Sequence, residues 1–271
     1  MDDLNALVTA IRSSAKYRHV SSDVIGSIGR KELAKRRSLT EAIQATRSKL
    51  HQIGGAYFGQ TQHYTAWLTE LQTAAQAGDP ERLRQICARI MTQHASTRER
   101  LPILDHFYQE ILSDLAPIQS VLDLACGYNP LAIPWMPLAP GATYYAYDIY
   151  EDLMSFLNSF ITLCGHAPVV GAQSILDTYP VVPGVHLALL LKAVPCLEQV
   201  DKTAGSTLLD KVDAQFILIS YPAQSLGGRS KGMAANYAAR FMELTADKGW
   251  TVAKYTFSTE LAFVLQKTPE R

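Results

Sequence analysis

The sequence predicts an α/β protein: a seven-stranded, mostly parallel sheet that ends in an antiparallel hairpin and is preceded by a small helical domain. Three observations carry this reading. Up to about residue 100 the apolar side chains recur at helical spacing. Beyond it, short apolar strands alternate with helical stretches, and the last two strand segments are separated by only Ser258, Thr259 and Glu260. Such alternation builds a parallel sheet covered on both faces, whereas three residues leave no room for a helical crossover and require antiparallel pairing.

In the helical part, LTEAIQATRSKLHQI sets Leu39, Ile43, Leu50 and Ile53 near one stripe, and Gly54-Gly55 stops the helix. HYTAWLTELQTAAQAG ends at Gly78, and Asp79-Pro80 opens a further helix with Asp79 as N-cap and Pro80 in the first turn. The expected strands are SVLDLA, TYYAYDI, PVVGA, HLALLL, QFILIS, TVAKYTF and LAFVLQK. The expected domains are a helical, basic one over 1–93 and a sheet domain over 94–271.

Composition narrows the class. Of 271 residues, 48% are apolar and 18% charged, in the range of globular chains. No apolar run approaches the ~20 residues of a membrane span, and MDDLNALVTAIRSS lacks the basic start of a secretory signal. A cytoplasmic protein without membrane association is expected. Cys87, Cys126, Cys164 and Cys196 lie far apart, with no zinc-type spacing, so neither disulfide nor metal is expected. Net charge is zero, yet residues 12–49 carry ten bases against three acids. A local excess of that kind attracts polyanions by counterion release; an ordinary solvated helical face is the alternative.

The strongest motif is VLDLACGYNPLAI, residues 121–133: a buried strand, the small turn Ala125-Cys126-Gly127, then an expected helix. Gly127 lets backbone approach a ligand at the strand ends. Tyr128, Asn129 and Pro130 stand where a dinucleotide fold has phosphate-facing glycines, which favours an adenosine ligand without pyrophosphate over a dinucleotide, a generic strand-turn-helix being the alternative. Asp148, 21 residues after Gly127, is placed to accept ribose hydroxyls, or to cap the next helix. In HASTRER, residues 94–100, Ser96 and Glu99 form an expected capping box whose helix start can meet an anion. SYPAQSLGGRSKGM, residues 220–233, presents Arg229 and Lys231 on a glycine-rich loop suited to phosphate, or simply to water.

HASTRERL, VLDLACGYNPLA, LLLKAVPCLE, SYPAQSLGGRSKGM and NYAARF, in that order, closely resemble the aminoglycoside-resistance 16S rRNA (guanine-N7) methyltransferases that act on the ribosomal decoding site. The resemblance runs from about Tyr17 to Gln266 and is loosest in the first 90 residues. It implies a class I, Rossmann-like methyltransferase domain, S-adenosyl-L-methionine as donor, and the small (30S) ribosomal subunit with its 16S rRNA as partner of a monomeric enzyme. It places the donor's methionine carboxylate on Arg100, the cofactor turn on Ala125 and Gly127, and the ribose on Asp148. His94, Ser96, Thr97, Gln173, Ser174 and Leu191 complete the expected cofactor set. It implies RNA contacts by Lys192, Arg229 and Lys231, and by some of Lys16, Arg18, Arg47 and Lys49. Two positions depart from the pattern: Ser174 follows Gln173 where the family has an aspartate near the adenine, and Asp201 stands where a glutamine is expected, with Asp177 close enough to compensate.

Guanine N7 has a free lone pair and no proton to lose, so no general base is expected and the work is alignment. The base must leave its stack to be reached, which calls for an aromatic platform; Tyr128 and Tyr221 are candidates, with a core role as the alternative for each. Two rival functions stay open: a small-molecule methyltransferase with a helical lid, and a ribosome-binding homologue without turnover.

Overall fold

A computed structural model of the chain describes residues 2–55, 62–176, 179–223, 232–246 and 248–267. The expected Asp177, Arg229 and Lys231 lie outside the described residues.

The chain begins with α1 (Asp3–Arg12), α2 (Ser22–Leu33) and α3 (Leu39–Leu50), followed by a π-turn over His51–Gly55. Their apolar stripes close on one another, burying Leu7, Ile11, Val24, Ile25, Ala42 and Leu50 in a core of their own. Helices α4 (Tyr64–Gln76) and α5 (Pro80–Met91) follow. The Asp79 carboxylate accepts from the Arg82 N–H at 2.8 Å and Pro80 occupies the first turn, as the sequence predicts. These two helices choose a different partner from α1–α3. Trp67, Leu71, Ile86 and Ile90 join the cluster that contains Phe107, Leu131 and Phe160 beneath the sheet. Each such side chain is worth roughly 1.5–3 kcal/mol when removed from water. The change of packing partner therefore falls between α3 and α4.

All seven expected strands form: β1 (Ile118–Leu124), β2 (Leu138–Asp148), β3 (Ala167–Ala172), β4 (Val185–Leu191), β5 (Ala214–Pro222), β6 (Thr251–Thr256) and β7 (Glu260–Gln266). Their order is β3-β2-β1-β4-β5-β7-β6, with β1 to β5 parallel and β7 antiparallel to both its neighbours. Strand order reverses between β1 and β4, and the carboxyl ends of strands at such a switch point are where open α/β sheets hold ligands. Helices α6 (Ala95–Arg100), α7 (Leu104–Leu112), α8 (Glu151–Leu163), α9 (Val194–Glu198), α10 (Ala204–Lys211) and α11 (Met233–Thr245) complete the fold. The helix expected after the β1 turn is a 3₁₀ segment, Asn129–Trp135, because Pro130 and Pro134 each lack an N–H.

A seam joins the first three helices to the sheet. Val20 and Tyr150 form an isolated antiparallel bridge, the Ser21 N–H donates to the Ile149 carbonyl at 2.9 Å, and Glu151 N–H donates to the His19 carbonyl at 2.8 Å. Arg12 pairs with Glu151 at 2.8 Å beside it. Among the described residues no helix is long and apolar enough to cross a membrane.

Candidate active site

A cavity of about 400 Å³ opens at the carboxyl ends of β1, β2 and β4. Its floor is the β1 turn. Ala125 and Gly127 both take left-handed backbone, at φ 52° and 49°. Gly127 has no room for a side chain, since a Cβ would stand 2.9 Å from the His94 ring. That closeness, together with the conformation, is the physical reason for glycine there. Its N–H donates to Asp148 Oδ2 at 2.9 Å, and the Ile149 N–H donates to Oδ1 at 2.6 Å. The Asp148 carboxylate is thus aimed from the end of β2 into the cavity and does not cap α8, whose N-cap is Tyr150. Burial raises its carboxyl above the ordinary range, against the pull of those two N–H groups. Gln173 and Ser174, just past β3, line the same end with Ile175 and Leu176. Ser174 Oγ is used locally, accepting from the Leu176 N–H at 3.3 Å.

Arg100 forms the opposite end. Its side chain is fully buried, with Nε and Nη2 on the Glu260 carboxylate at 2.7–3.2 Å and Nη1 on Asn129 Oδ1 at 2.8 Å. Asn129 in turn donates to Asp123 Oδ2 at 2.8 Å, where the Tyr144 hydroxyl also donates at 2.8 Å. Burial pushes the Asp123 carboxyl up to about 7 in spite of these donors and the Arg100 charge. Burial, with the charges of Arg100, Lys192 and Arg98 adding to it, drives the His94 imidazole down to about 3, so it is neutral.

The expected capping box does not form. His94 is the N-cap of α6, and Glu99 turns away to hold Lys192 Nζ at 2.9 Å. Thr97 is buried behind the wall, its hydroxyl donating to the Met91 carbonyl at 2.7 Å, while His94, Ser96, Arg100 and Leu191 line the cavity.

Lys192 is the largest departure from expectation. Its side chain is 6% exposed, and the ammonium lies between Glu99 and Glu260, 3.3 Å from the latter, with the Ser96 carbonyl at 3.2 Å. Left-handed backbone at φ 57° turns it inward at the end of β4. A lysine so paired faces the cavity rather than an outer surface. Arg47 is likewise spent inside the helical unit, donating from Nη2 to the Ala10 carbonyl at 2.9 Å and tying α3 to α1. Lys16 and Arg18 are exposed, Lys16 beside His51 at 3.0 Å, and Lys49 is half-buried. Arg30, Lys31, Lys35 and Arg37 add exposed bases along the end of α2 and the turn after it.

Both candidate aromatics are core residues. Tyr128 is fully buried, with its hydroxyl on Gln62, and Tyr221 is 1% exposed. Among the described residues the tyrosine that lines the cavity is Tyr237 on α11, stacked on Tyr221 at 5.0 Å and 25°. Asp201 points away, accepting from the N–H and hydroxyl of Thr203 at 2.9 and 2.8 Å, whereas Gln199 lines the cavity wall. A glutamine is therefore present there, two residues before the expected place.

The family model described as ribosomal RNA methyltransferase (FmrO) matches residues 12–264. The chain belongs to that family. Among its relatives, a 16S rRNA (guanine(1405)-N(7))-methyltransferase of Micromonospora rosea is 36% identical over 268 residues, spanning 98% of this chain and 97% of the relative. One of the same name from Serratia marcescens is 33% identical over 265 residues, covering 98% and 99%. The crystal structure of 16S rRNA methyltransferase RmtF in complex with S-adenosyl-L-homocysteine superposes with a TM-score of 0.82 at 27% identity, covering 99% of each chain. The 16S rRNA methylase RmtB superposes at 0.77 with 28% identity, covering 98% of each. The seven-stranded, mostly parallel sheet and C-terminal hairpin of this methyltransferase are those expected from its sequence.

Five side chains at the site escape sequence reading: Glu260, Asn129, Asp123, Gln199 and Tyr237. Glu260 left one signal, an acid opening an otherwise apolar strand, ELAFVLQ. Nothing in the sequence pairs it with an arginine 160 residues earlier.

Proposed function

We propose that this chain transfers a methyl group from S-adenosyl-L-methionine to N7 of a guanine in the decoding site of 16S rRNA, within the assembled 30S subunit, and so confers aminoglycoside resistance. It acts as a monomer in the cytoplasm and without a metal. The observation that carries the reading is one cavity with Arg100 and Lys192 at one end and the Asp148 carboxylate at the other, in a chain of the ribosomal RNA methyltransferase family. The relatives named above are guanine-N7 enzymes, and RmtF holds the demethylated donor.

The donor supplies an electrophilic methyl on sulfur. Its two positive groups and one carboxylate suit a wall in which Glu99, Asp123 and Asp148 stand near two cations. Arg100 and Lys192 take the carboxylate, Asp148 accepts the ribose hydroxyls, and Gln173, Ser174 and Gln199 surround the adenine between Ile175 and Leu197. With the nucleoside over β2 and β3, the space over β4 and β5 is left for the guanine. There Tyr237, backed by Tyr221, offers a ring face for a base drawn out of its stack. No side chain removes a proton. Neutral His94 and hydrogen-bonded Asp123 belong to the wall, and alignment alone contributes on the order of several kcal/mol.

The helical region 1–93 steers the subunit, and within it the α1–α2 connection, the end of α2 and the turn after it carry the exposed bases Lys16, Arg18, Arg30, Lys31, Lys35 and Arg37. Arg229 and Lys231, between β5 and α11 in the sequence, serve the same partner. Incubating purified small subunits with labelled donor and mapping the modified nucleotide tests the whole reading. Transfer to a decoding-site guanine N7 is expected; label on small molecules alone, or on no nucleotide, sinks it.

A further inference from the structure

Glu260 opens β7, is fully buried, and lies behind the cavity wall. A guanidinium can hold a carboxylate along either of two edges, Nε with Nη2 or Nη1 with Nη2. Glu260 occupies the first edge of Arg100, with contacts of 3.0, 3.2 and 2.7 Å. Asn129 Oδ1 takes one hydrogen of Nη1. The edge left for a second carboxylate is Nη1 with Nη2. The same Glu260 carboxylate stands 3.3 Å from Lys192 Nζ and accepts from Ser220 Oγ at 2.5 Å. Ser220 in turn receives the Lys192 N–H at its carbonyl, 3.0 Å away. One buried acid thus contacts both cations of the cavity and supplies negative charge that offsets the cost of burying them.

We infer that Glu260 is the positioning residue for the amino-acid end of the methyl donor, acting through Arg100 and Lys192; this rests on the donor reading proposed above. It presents the free edge of Arg100 and the Lys192 ammonium as one preformed carboxylate clamp. The adenosine end, held over β2 and β3, is independent of it.

Calorimetry with two ligands tests this: S-adenosyl-L-methionine, and 5′-deoxy-5′-methylthioadenosine, which has the nucleoside and sulfur but no amino-acid moiety. In Glu260→Gln the donor should bind at least about tenfold more weakly while methylthioadenosine is unchanged within about twofold. Ser220→Ala, which removes the hydroxyl donor to Glu260 and the Oγ that accepts from the Lys192 N–H at 3.2 Å but keeps that N–H on the Ser220 carbonyl, should show the same selectivity with a loss of about threefold. An equal loss for both ligands, or undiminished donor affinity, overturns the inference by reducing Glu260 to a structural ion pair. If circular dichroism shows Glu260→Gln unfolded, Ser220→Ala decides by the same criterion. Unmodified protein that takes up neither ligand overturns the donor reading itself, which separates the two failures.

Discussion

The Gly127 N–H and the Asp148 carboxylate meet at 2.9 Å, joining the turn after β1 to the tip of β2 across the floor of the cavity. A side chain at 127 would be strained by the left-handed backbone and would strike the His94 ring at 2.9 Å. Gly127→Ala should therefore cost about 1–3 kcal/mol, a loss of several degrees in Tm, and weaken donor binding. Gly141, also left-handed but with open space around it, is the control. Gly141→Ala should show only the smaller backbone cost, with donor affinity intact. Equal behaviour of the two variants in thermal melts and calorimetry would refute the close-approach argument.

Asp123 makes stability depend on pH. Its carboxyl is raised by burial from an ordinary 3.8 to about 7, so the folded state holds the proton more tightly than the unfolded chain. The contribution is fully present below pH 3.8 and lost as pH rises through about 7. Asp123→Asn keeps an acceptor for Asn129 and Tyr144 and removes the titration. The difference in Tm between wild type and variant should move against the wild type from pH 4.5 to 7.5 and level off above; a difference independent of pH contradicts this.

Lys192 and the exposed bases should separate cleanly in assay. Lys192→Met is expected to weaken donor binding and leave the salt dependence of subunit binding unchanged. Lys16→Glu with Arg18→Glu should do the reverse, lowering the slope of log K against log salt by about 1–2. Filter binding across a salt series, paired with donor calorimetry, reads both. A steep salt effect from Lys192→Met would return it to the RNA surface.

The two stacked tyrosines have opposite expectations. Tyr237→Ala should reduce turnover on subunits by roughly 10- to 100-fold at saturating donor, the cost of a lost stacking face, with donor Kd unchanged. The Tyr221 hydroxyl is buried and has no hydrogen-bond partner among the described residues. Tyr221→Phe should then be neutral or raise Tm slightly. Single-turnover rates and thermal melts check the pair; a large loss in Tyr221→Phe would give that hydroxyl a role.

Strands were legible because each is a compact apolar run bounded by turn residues, and the short gap before Glu260 announced the hairpin. The floor of the cavity was legible through the VLDLACGYNPLAI motif and the 21-residue spacing to Asp148, and the structure brings these together because the turn after β1 and the tip of β2 belong to adjacent parallel strands. The far wall was hidden. Arg100 finds Glu260 through tertiary closure of the hairpin onto the sheet, a contact with no local signature. The inward turn of Lys192 comes from backbone conformation at a position where left-handed φ is unusual for a non-glycine residue. Charge counting along the helices could not distinguish Arg47, used to tie α3 to α1, from its solvated neighbours.

Ile149 has both of its backbone polar groups engaged, the N–H by Asp148 Oδ1 and the carbonyl by the Ser21 N–H of the helical unit. A single peptide neighbourhood thereby ties the helical unit to the carboxylate at the tip of β2. Under the function proposed above, a subunit that displaced α1–α3 would move Ile149, one residue from the proposed ribose acceptor, and by thermodynamic reciprocity any change this made in nucleoside affinity would be matched by an equal change in affinity for the polyanion.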